Sequence, residues 1–401
     1  MMLKRPMASL TVTVALLVMS GTATAAGFAL IEQSASGMGN AFAGGAAIAE
    51  DASTIFFNPA GMSRLSGKEF VIAAHGINPS AKFSGTGAAG SDMGGDAGGL
   101  SVVPNAYFSM EIKPNLKIGL GVNAPFGLQT EYDSAWVGRY QAIKTKVETI
   151  NLNPSIAYQV NDVLSIGAGV DYQHISGDLS SFDDVLGTTV VSGTDNAWGF
   201  NLGALYNVNS DTRIGLAYRS ALNFTLHGEV STALPFANGS VSLGVKLPDS
   251  LSFSGFHRIN DKWDVMADIT GTGWSAFNQI KVLNSAGAVI TNTPENWKNT
   301  VRVSIGATHH YNQHWLTRAG LAYDQSPVPD AFRTARIPDN NRTWLAVGGQ
   351  YKPSTTTAID FGYAHLFVGD STINSSNPSP SLIGTYKNSI DILSAQYTLN
   401  F

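Results

Sequence analysis

The chain has 401 residues, of which 44% are hydrophobic and only 13% charged; it carries 42 glycines, no cysteine and a formal net charge of −5. The missing cysteines exclude a disulfide framework, a thiolate nucleophile and Cys-ligated zinc, and the scattered, net-negative charge argues against a nucleic-acid partner. Soluble domains average about 25% charged residues, so much of this surface is predicted to face something other than water.

Residues 1–25 read as an export signal. Lys4 and Arg5 supply the positive end, an apolar run follows from Ala8 to Met19, and Ala23-Thr24-Ala25 forms a small-residue cleavage site that would leave Ala26 as the first mature residue. The run is too short for a spanning helix, which needs roughly 20 residues.

Residues 26–67 come next and include "SASGMGNAFAGGAAIAEDASTIFFNPAGM". Gly37 and Gly39 start a G-x-G-x-x-G pattern, but position 42 is Phe, no strand precedes it and no ribose-binding acid follows. A nucleotide site is therefore rejected. Gly44 and Gly45 interrupt a small-residue helix and Pro59 ends it, so the segment is no strand. With Phe28, Leu30, Ile31, Phe42, Ile55, Phe56 and Phe57 it is too apolar for a disordered tail. It is expected to fold as a plug, or hatch, inside a barrel, with Asn58-Pro59-Ala60 holding a tight turn against the wall.

From Lys68 to Phe401 the sequence predicts an all-β fold, a transmembrane antiparallel β-barrel of about fourteen strands. Short polar turns recur at 113–117, 160–163, 209–212, 259–262, 312–315 and 352–355. Longer polar stretches, read as loops, fall near 84–99, 125–141, 179–194, 229–240, 281–296, 325–341 and 369–384. Short turns at one rim and long loops at the other are the rhythm of an outer-membrane barrel. Between them, apolar and polar residues alternate: Ile166, Ala168, Val170 and Tyr172 against Ser165, Gly167, Gly169 and Asp171, and Val301, Val303 and Ile305 against Arg302 and Ser304. One set is expected to face membrane lipid and the other the lumen.

Within "LKIGLGVNAPFG" at 116–127, Gly119, Gly121 and Pro125 predict an irregular third strand, because proline donates no ladder bond and glycine favours kinks. Either the rim bends there or the wall has a gap. The following loop offers Phe126, Leu128, Trp136 and Tyr140, apolar groups suited to collecting a hydrophobic ligand or to closing the barrel mouth by packing on each other. Arg219, Arg302, Arg318 and Arg342 lie at lumen-facing parity. They are candidates to fork onto a carboxylate, Arg342 first and Arg302 second, or to pair with Glu32, Glu50, Asp51, Asp268 and Asp324. His309, His310 and His314 lack a carboxylate at ligand spacing, so no metal and no cofactor is expected, and no G-x-S-x-G motif points to an enzyme. The series Leu393, Ala395, Tyr397, Leu399, Phe401 resembles the last-strand signal read by the barrel assembly machinery, with an ordinary edge strand as the alternative.

"AGFAL" after the cleavage site, "SGMGNAFAG", "AEDASTIFFNPAGM" and "SPVP…IPDNNRTWL" together resemble the FadL family of outer-membrane long-chain fatty acid transporters, whose relatives include TodX-type aromatic hydrocarbon channels. The likeness runs from Ala26 to Phe401. It implies a fourteen-stranded barrel occluded by an N-terminal hatch in the outer membrane of a Gram-negative bacterium. It also implies passive uptake of a long-chain fatty acid or similar molecule: capture by outer loops, movement of the hatch around Phe28, and sideways exit into the membrane near strand three. The rival readings are an aromatic hydrocarbon channel and a surface barrel with a structural or adhesive role.

Overall fold

The structure, a computed structural model, describes residues 27–88, 90–376 and 380–401. The expected export signal at 1–25, and Ala26, lie outside them. The wall begins with β1 (Lys68–Thr86), β2 (Ser101–Lys113), β3 (Leu116–Asn123, resumed at Gly127–Glu131) and β4 (Lys144–Gln159). It continues with β5 (Leu164–Asp183), β6 (Gly187–Asn207), β7 (Thr212–Arg219 and Leu222–Ser231) and β8 (Gly239–Leu247 and Ser250–Asn260). Then come β9 (Trp263–Thr272 and Gln279–Asn284) and β10 (Val289–Pro294 and Thr300–His310). Last are β11 (Trp315–Asp324), β12 (Arg342–Tyr351), β13 (Thr357–Val368 and Ser371–Ser375) and β14 (Leu382–Asn400). Each strand runs antiparallel to its sequence neighbour. β14 also pairs with β1 from Glu69↔Asn400 to Thr86↔Ile383, which closes the barrel between its first and last strands.

Side-chain parity sets the solvent of each face. On β4, Ile150, Leu152 and Ile156 are exposed while Asn151, Asn153 and Ser155 are buried; on β10, Val301, Val303 and Ile305 are exposed while Arg302 and Ser304 are buried. An apolar exterior around a polar interior is the arrangement a lipid-spanning barrel requires, and no helix among the described residues is long and apolar enough to span.

Several stretches expected as long loops are strand instead. β5 and β6 stay paired out to Asp183↔Gly187, so the expected loop at 179–194 shrinks to a tip at 184–186. The stretches at 229–240, 281–296 and 369–384 shorten in the same way. Above the hydrocarbon band both faces of a strand meet water, so polar residues there mark depth and not loss of pairing.

Residues 27–65 pack against inward-facing wall residues on nearly every side. They form α1 (Ala35–Met38), α2 (Gly45–Ile48), α3 (Thr54–Phe57) and a 3₁₀ turn at Pro59–Arg64. α1 lies against β12, β13 and β14, α2 against β7 and β8, and the 3₁₀ turn against β4, β5 and β6. Asn58 caps that turn: its carboxamide oxygen accepts from Ala60 N at 3.0 Å and its Nδ2 donates to Ala46 O at 2.7 Å and to Ala204 O of the wall at 3.0 Å. Pro59 follows at the first turn position, where its missing N–H costs nothing. A Cβ at Gly203 of β6 would collide with the Asn58 carboxamide, and one at Gly39 would lie 2.9 Å from the Cα of Gly348 on β12. These wall glycines let the segment touch the sheet backbone to backbone.

Candidate functional site

The wall is broken at the seam between β2 and β3. β2 and β3 are in register only from Lys113↔Leu116 to Ala106↔Val122, and the upper part of β2, Ser101–Asn105, pairs with β1 alone. β3 stops at Asn123 and resumes at Gly127, where it pairs with β4 alone. Pro125 sits in the break, and Pro104 on the unpaired edge of β2 has no N–H to leave unsatisfied. Gly119 and Gly121 are not part of the interruption, contrary to expectation: each is ladder-paired on both sides, to Ser109 and Ser155 and to Tyr107 and Asn153. Gly119 faces the plug, where a Cβ would lie 2.5 Å from Ile55 Cδ1 and 2.6 Å from Met62 Sδ.

The N-terminal segment supplies partners to the broken strand. Leu30 N donates to Pro125 O at 2.8 Å and Gly127 N donates to Phe28 O at 3.0 Å, which makes Ala29 and Phe126 bridge partners. Gln33 Nε2 donates to Ala124 O at 3.0 Å and Asn105 Nδ2 to Glu32 O at 2.9 Å. Thr149 Oγ1 of β4 both accepts from Phe126 N, at 3.0 Å, and donates to Phe126 O, at 2.7 Å. Backbone groups that the missing ladder would strand are thus satisfied by residues 28–33 and by one β4 side chain.

Beside the seam lies a cavity of about 670 Å³, lined mainly by apolar groups that include Phe28, Val102, Pro104, Val122, Phe126 and Leu128, with Glu32, Asp339 and Arg342 among its polar ones. Val102 and Val122 are also exposed on the outer face of the wall, so the cavity reaches the lipid side at the break. A dry pocket of about 60 Å³ adjoins it and shares Phe28, Leu128 and Ile337. A third, of about 160 Å³, lies across residues 29–32 and is lined by Glu32, Arg302, Asp324, Arg342 and the hydroxyl-bearing faces of β8 and β9.

Phe28 closes the cavity from within. Its ring meets Trp274, Phe277, Trp297 and Phe126 at centroid distances of 5.0, 5.5, 5.7 and 6.0 Å. Gly27 N donates to Asp339 Oδ2 at 3.1 Å, and Gly27 O accepts from Arg342 Nη2 at 3.2 Å. Arg342 also binds Asp339 Oδ1 through Nε and Nη2, at 3.2 and 2.9 Å. Glu32 has no such partner for Oε2, and its carboxyl is raised to about 7 by burial, partly offset by its own backbone N–H and by Arg342 and Arg302. Glu295, which accepts from the Trp297 indole N–H at 3.0 Å, is likewise pushed up to about 8 by burial.

The four arginines expected at lumen-facing parity separate by role. Arg219 pairs with Asp171 and donates to Phe56 O at 3.1 Å; Arg318 pairs with Asp360 at 2.7 Å and Glu50 at 3.1 Å; Arg302 donates to Ala41 O at 2.7 Å with its guanidinium 5.2 Å from the Trp344 ring. All three clamp the plug to the wall. Arg302 and Arg342 meet at the third pocket, but only Arg342 also lines the main cavity. Asp51 pairs with no arginine: it accepts from Ser36, Ser53 and Gln396 at 2.6, 2.5 and 2.8 Å.

Of the expected ligand-collecting apolar residues, Phe126 and Leu128 line the cavity. Trp136 and Tyr140 do not. Trp136 is fully buried and stacks on Tyr132 at 3.9 Å beside Phe83, which closes the loop over the rim. Tyr140 donates to Asp184 at 2.6 Å and lies under the Arg139 guanidinium. Trp274, Phe277 and Trp297 are far from Phe28 in the chain, so no local pattern marks them as its neighbours, and Glu32 is more than the pairing partner its sequence position suggests.

A sequence profile described as outer membrane protein transport protein (OMPP1/FadL/TodX) matches residues 16–401. The chain is 31% identical to the long-chain fatty acid transport protein of Salmonella typhi, over 90% of this chain and 92% of that one, and 33% identical to outer membrane protein P1 of Haemophilus influenzae, over 88% of each. The crystal structure of a Pseudomonas aeruginosa FadL homologue superposes with a TM-score of 0.88 at 25% identity, covering 94% of this chain and all of that one. The Pseudomonas putida toluene transporter TodX shares the fold, with a TM-score of 0.71 at 18% identity over 93% and 99% of the two chains.

Proposed function

Because the chain belongs to the OMPP1/FadL/TodX family of outer membrane transport proteins, we propose that it is a passive outer-membrane channel for long-chain fatty acids. The observation that carries this is the cavity at the β2–β3 seam: largely apolar, open toward lipid, and bordered by one arginine with bonding capacity to spare. Among the described residues nothing accepts from Arg342 Nη1, while Nε and Nη2 are spoken for. An acyl chain gains about 0.8 kcal/mol for each CH₂ buried there, and the guanidinium edge offers a charge-assisted bond to the head group. An aromatic hydrocarbon would leave that edge without a partner. The relatives named for long-chain fatty acid transport support the same choice.

In this reading residues 27–33 are the moving part of a hatch that spans 26–67. They stand in for the missing ladder of β3, so their withdrawal opens the wall at the seam and lets ligand pass sideways into the bilayer. That route spares the acyl chain exposure to water. Loss of the charge-assisted bond costs about 1.5–3 kcal/mol, so Arg342→Ala is expected to weaken oleate binding roughly tenfold to a hundredfold and to leave a neutral alcohol of equal length nearly unaffected. Binding of oleate at wild-type strength by a folded Arg342→Ala variant would remove the arginine from the site.

A further inference from the structure

Among the described residues, Glu32 is the one acidic side chain at the cavity without a partner, Glu148 being paired with Lys146. It is 5% exposed, its Oε2 is fully buried without a hydrogen-bond partner, and it lines both the main cavity and the polar pocket across residues 29–32, as Arg342 does. Asp339 by contrast is saturated by Arg342, Gly27 N and Ser326. The charged groups that face Glu32 are Arg342 from β12, Arg302 from β10 and Asp324 from β11; β2 presents only the neutral Asn105.

Building on the fatty acid reading above, we propose that Glu32 is the second half of the carboxylate-recognition site: its carboxyl, in the protonated form, donates a hydrogen bond to the ligand carboxylate that Arg342 holds from the other side. Above about pH 7, where Glu32 of the free protein is ionised, each anionic ligand then enters together with one proton taken from solvent; below it the proton is already in place, and the ligand stays a carboxylate throughout. The alternative, an ionised Glu32 beside a second carboxylate in a dry site, would set two like charges together with one spare guanidinium edge between them. The burial that already raises Glu32 to about 7 prepares it for this, and an adjacent ligand anion raises it further. The site would therefore prefer a carboxylate to a neutral head group most strongly below that value.

The test uses the full-length barrel in detergent with dodecanoate, whose own titration in the same detergent is measured and subtracted, and dodecanol as the neutral probe. Titration calorimetry in buffers of different ionisation enthalpy reads the proton directly. Wild type is expected to take up about one proton per dodecanoate above about pH 7, with affinity falling about tenfold per pH unit until the pKa of the complex is reached. Dodecanol binding should be flat. Glu32→Gln keeps a donor at the same position and is expected to bind dodecanoate with no pH slope and no proton uptake, while Glu32→Ala loses affinity about tenfold at about pH 6. Dodecanoate affinity in wild type that is flat with pH, or a slope that survives in Glu32→Gln, would overturn the role of Glu32 alone. Failure of both probes to bind the folded wild type would overturn the fatty acid reading and this inference with it.

Discussion

The two ends of the plug are held by different physics. From Ala35 to Leu65 the segment is bolted: Arg302 and Arg318 of the wall bind Ala41 O and Glu50, Arg213 donates to Ala47 O and Ile48 O, and wall glycines let Asn58 and Gly39 seat against the sheet. From Gly27 to Gln33 no ion pair holds it to the wall among the described residues: it is held by a rosette of rings around Phe28, by bonds of the Gly27 backbone to Asp339 and Arg342, and by a few backbone and amide bonds to β2 and the break in β3. Aromatic contacts are worth about 0.5–1.5 kcal/mol each beyond burial and re-form in other arrangements; a buried charge torn from its partner costs about 3–5 kcal/mol. A gate needs one end that stays and one that yields, and the division falls near residue 34.

The bluntest way to break this contrast is to remove both ends. Deleting residues 27–67 should leave a folded barrel whose single-channel conductance rises many-fold, since wall closure through β1 and β14 does not depend on those residues. A folded deletant with wild-type conductance would show that the segment does not obstruct the lumen.

A sharper experiment locks only the yielding end. Ala29 and Phe126 are antiparallel bridge partners flanked by hydrogen bonds, a geometry with Cα atoms about 4.5 Å apart that suits a disulfide. The chain has no cysteine to interfere. The pair Ala29→Cys with Phe126→Cys, once oxidised, should cut fatty acid uptake at least about tenfold, since a closed bridge outlasts any thermal opening of the ring cluster. Reductant should restore it in the same preparation. Equal uptake in both redox forms would place the moving part elsewhere.

Strand count, lipid-facing parity and the plug's composition were legible in the sequence because each depends on neighbours in the chain: Ile166 and Val170 declare their face by the residues between them. The length of the outer loops was not, because polarity reports water and the upper parts of β5 and β6 meet water while still paired. Nor was the break legible from glycine. Gly119 is small for the sake of Ile55 and Met62 inside the barrel, while the wall fails at Pro125. The cage around Phe28 draws on three rings from 274–297, and no local pattern announces a contact across that distance.

The mildest perturbation touches the bolted end. Gly203→Ala forces a Cβ into the Asn58 carboxamide, and overpacking of this kind costs about 1–3 kcal/mol. It should raise the frequency of brief current bursts through the plugged barrel without altering oleate affinity. A change in affinity and none in bursts would reverse the roles assigned to the two ends.

The plug also dictates an order of assembly. Ala35 N donates to Gln396 Oε1 on the last strand, 361 residues away, and Gly27 N reaches Asp339 across 312. Contacts so distant in sequence are slow to form. The ribosome delivers the stopper first and the final stave last, and the seam between β1 and β14 has to shut around a segment already lying in place. This ship is built before its bottle is sealed, so a permuted chain that places residues 27–67 after β14 should close its barrel more slowly than wild type, as refolding kinetics would show.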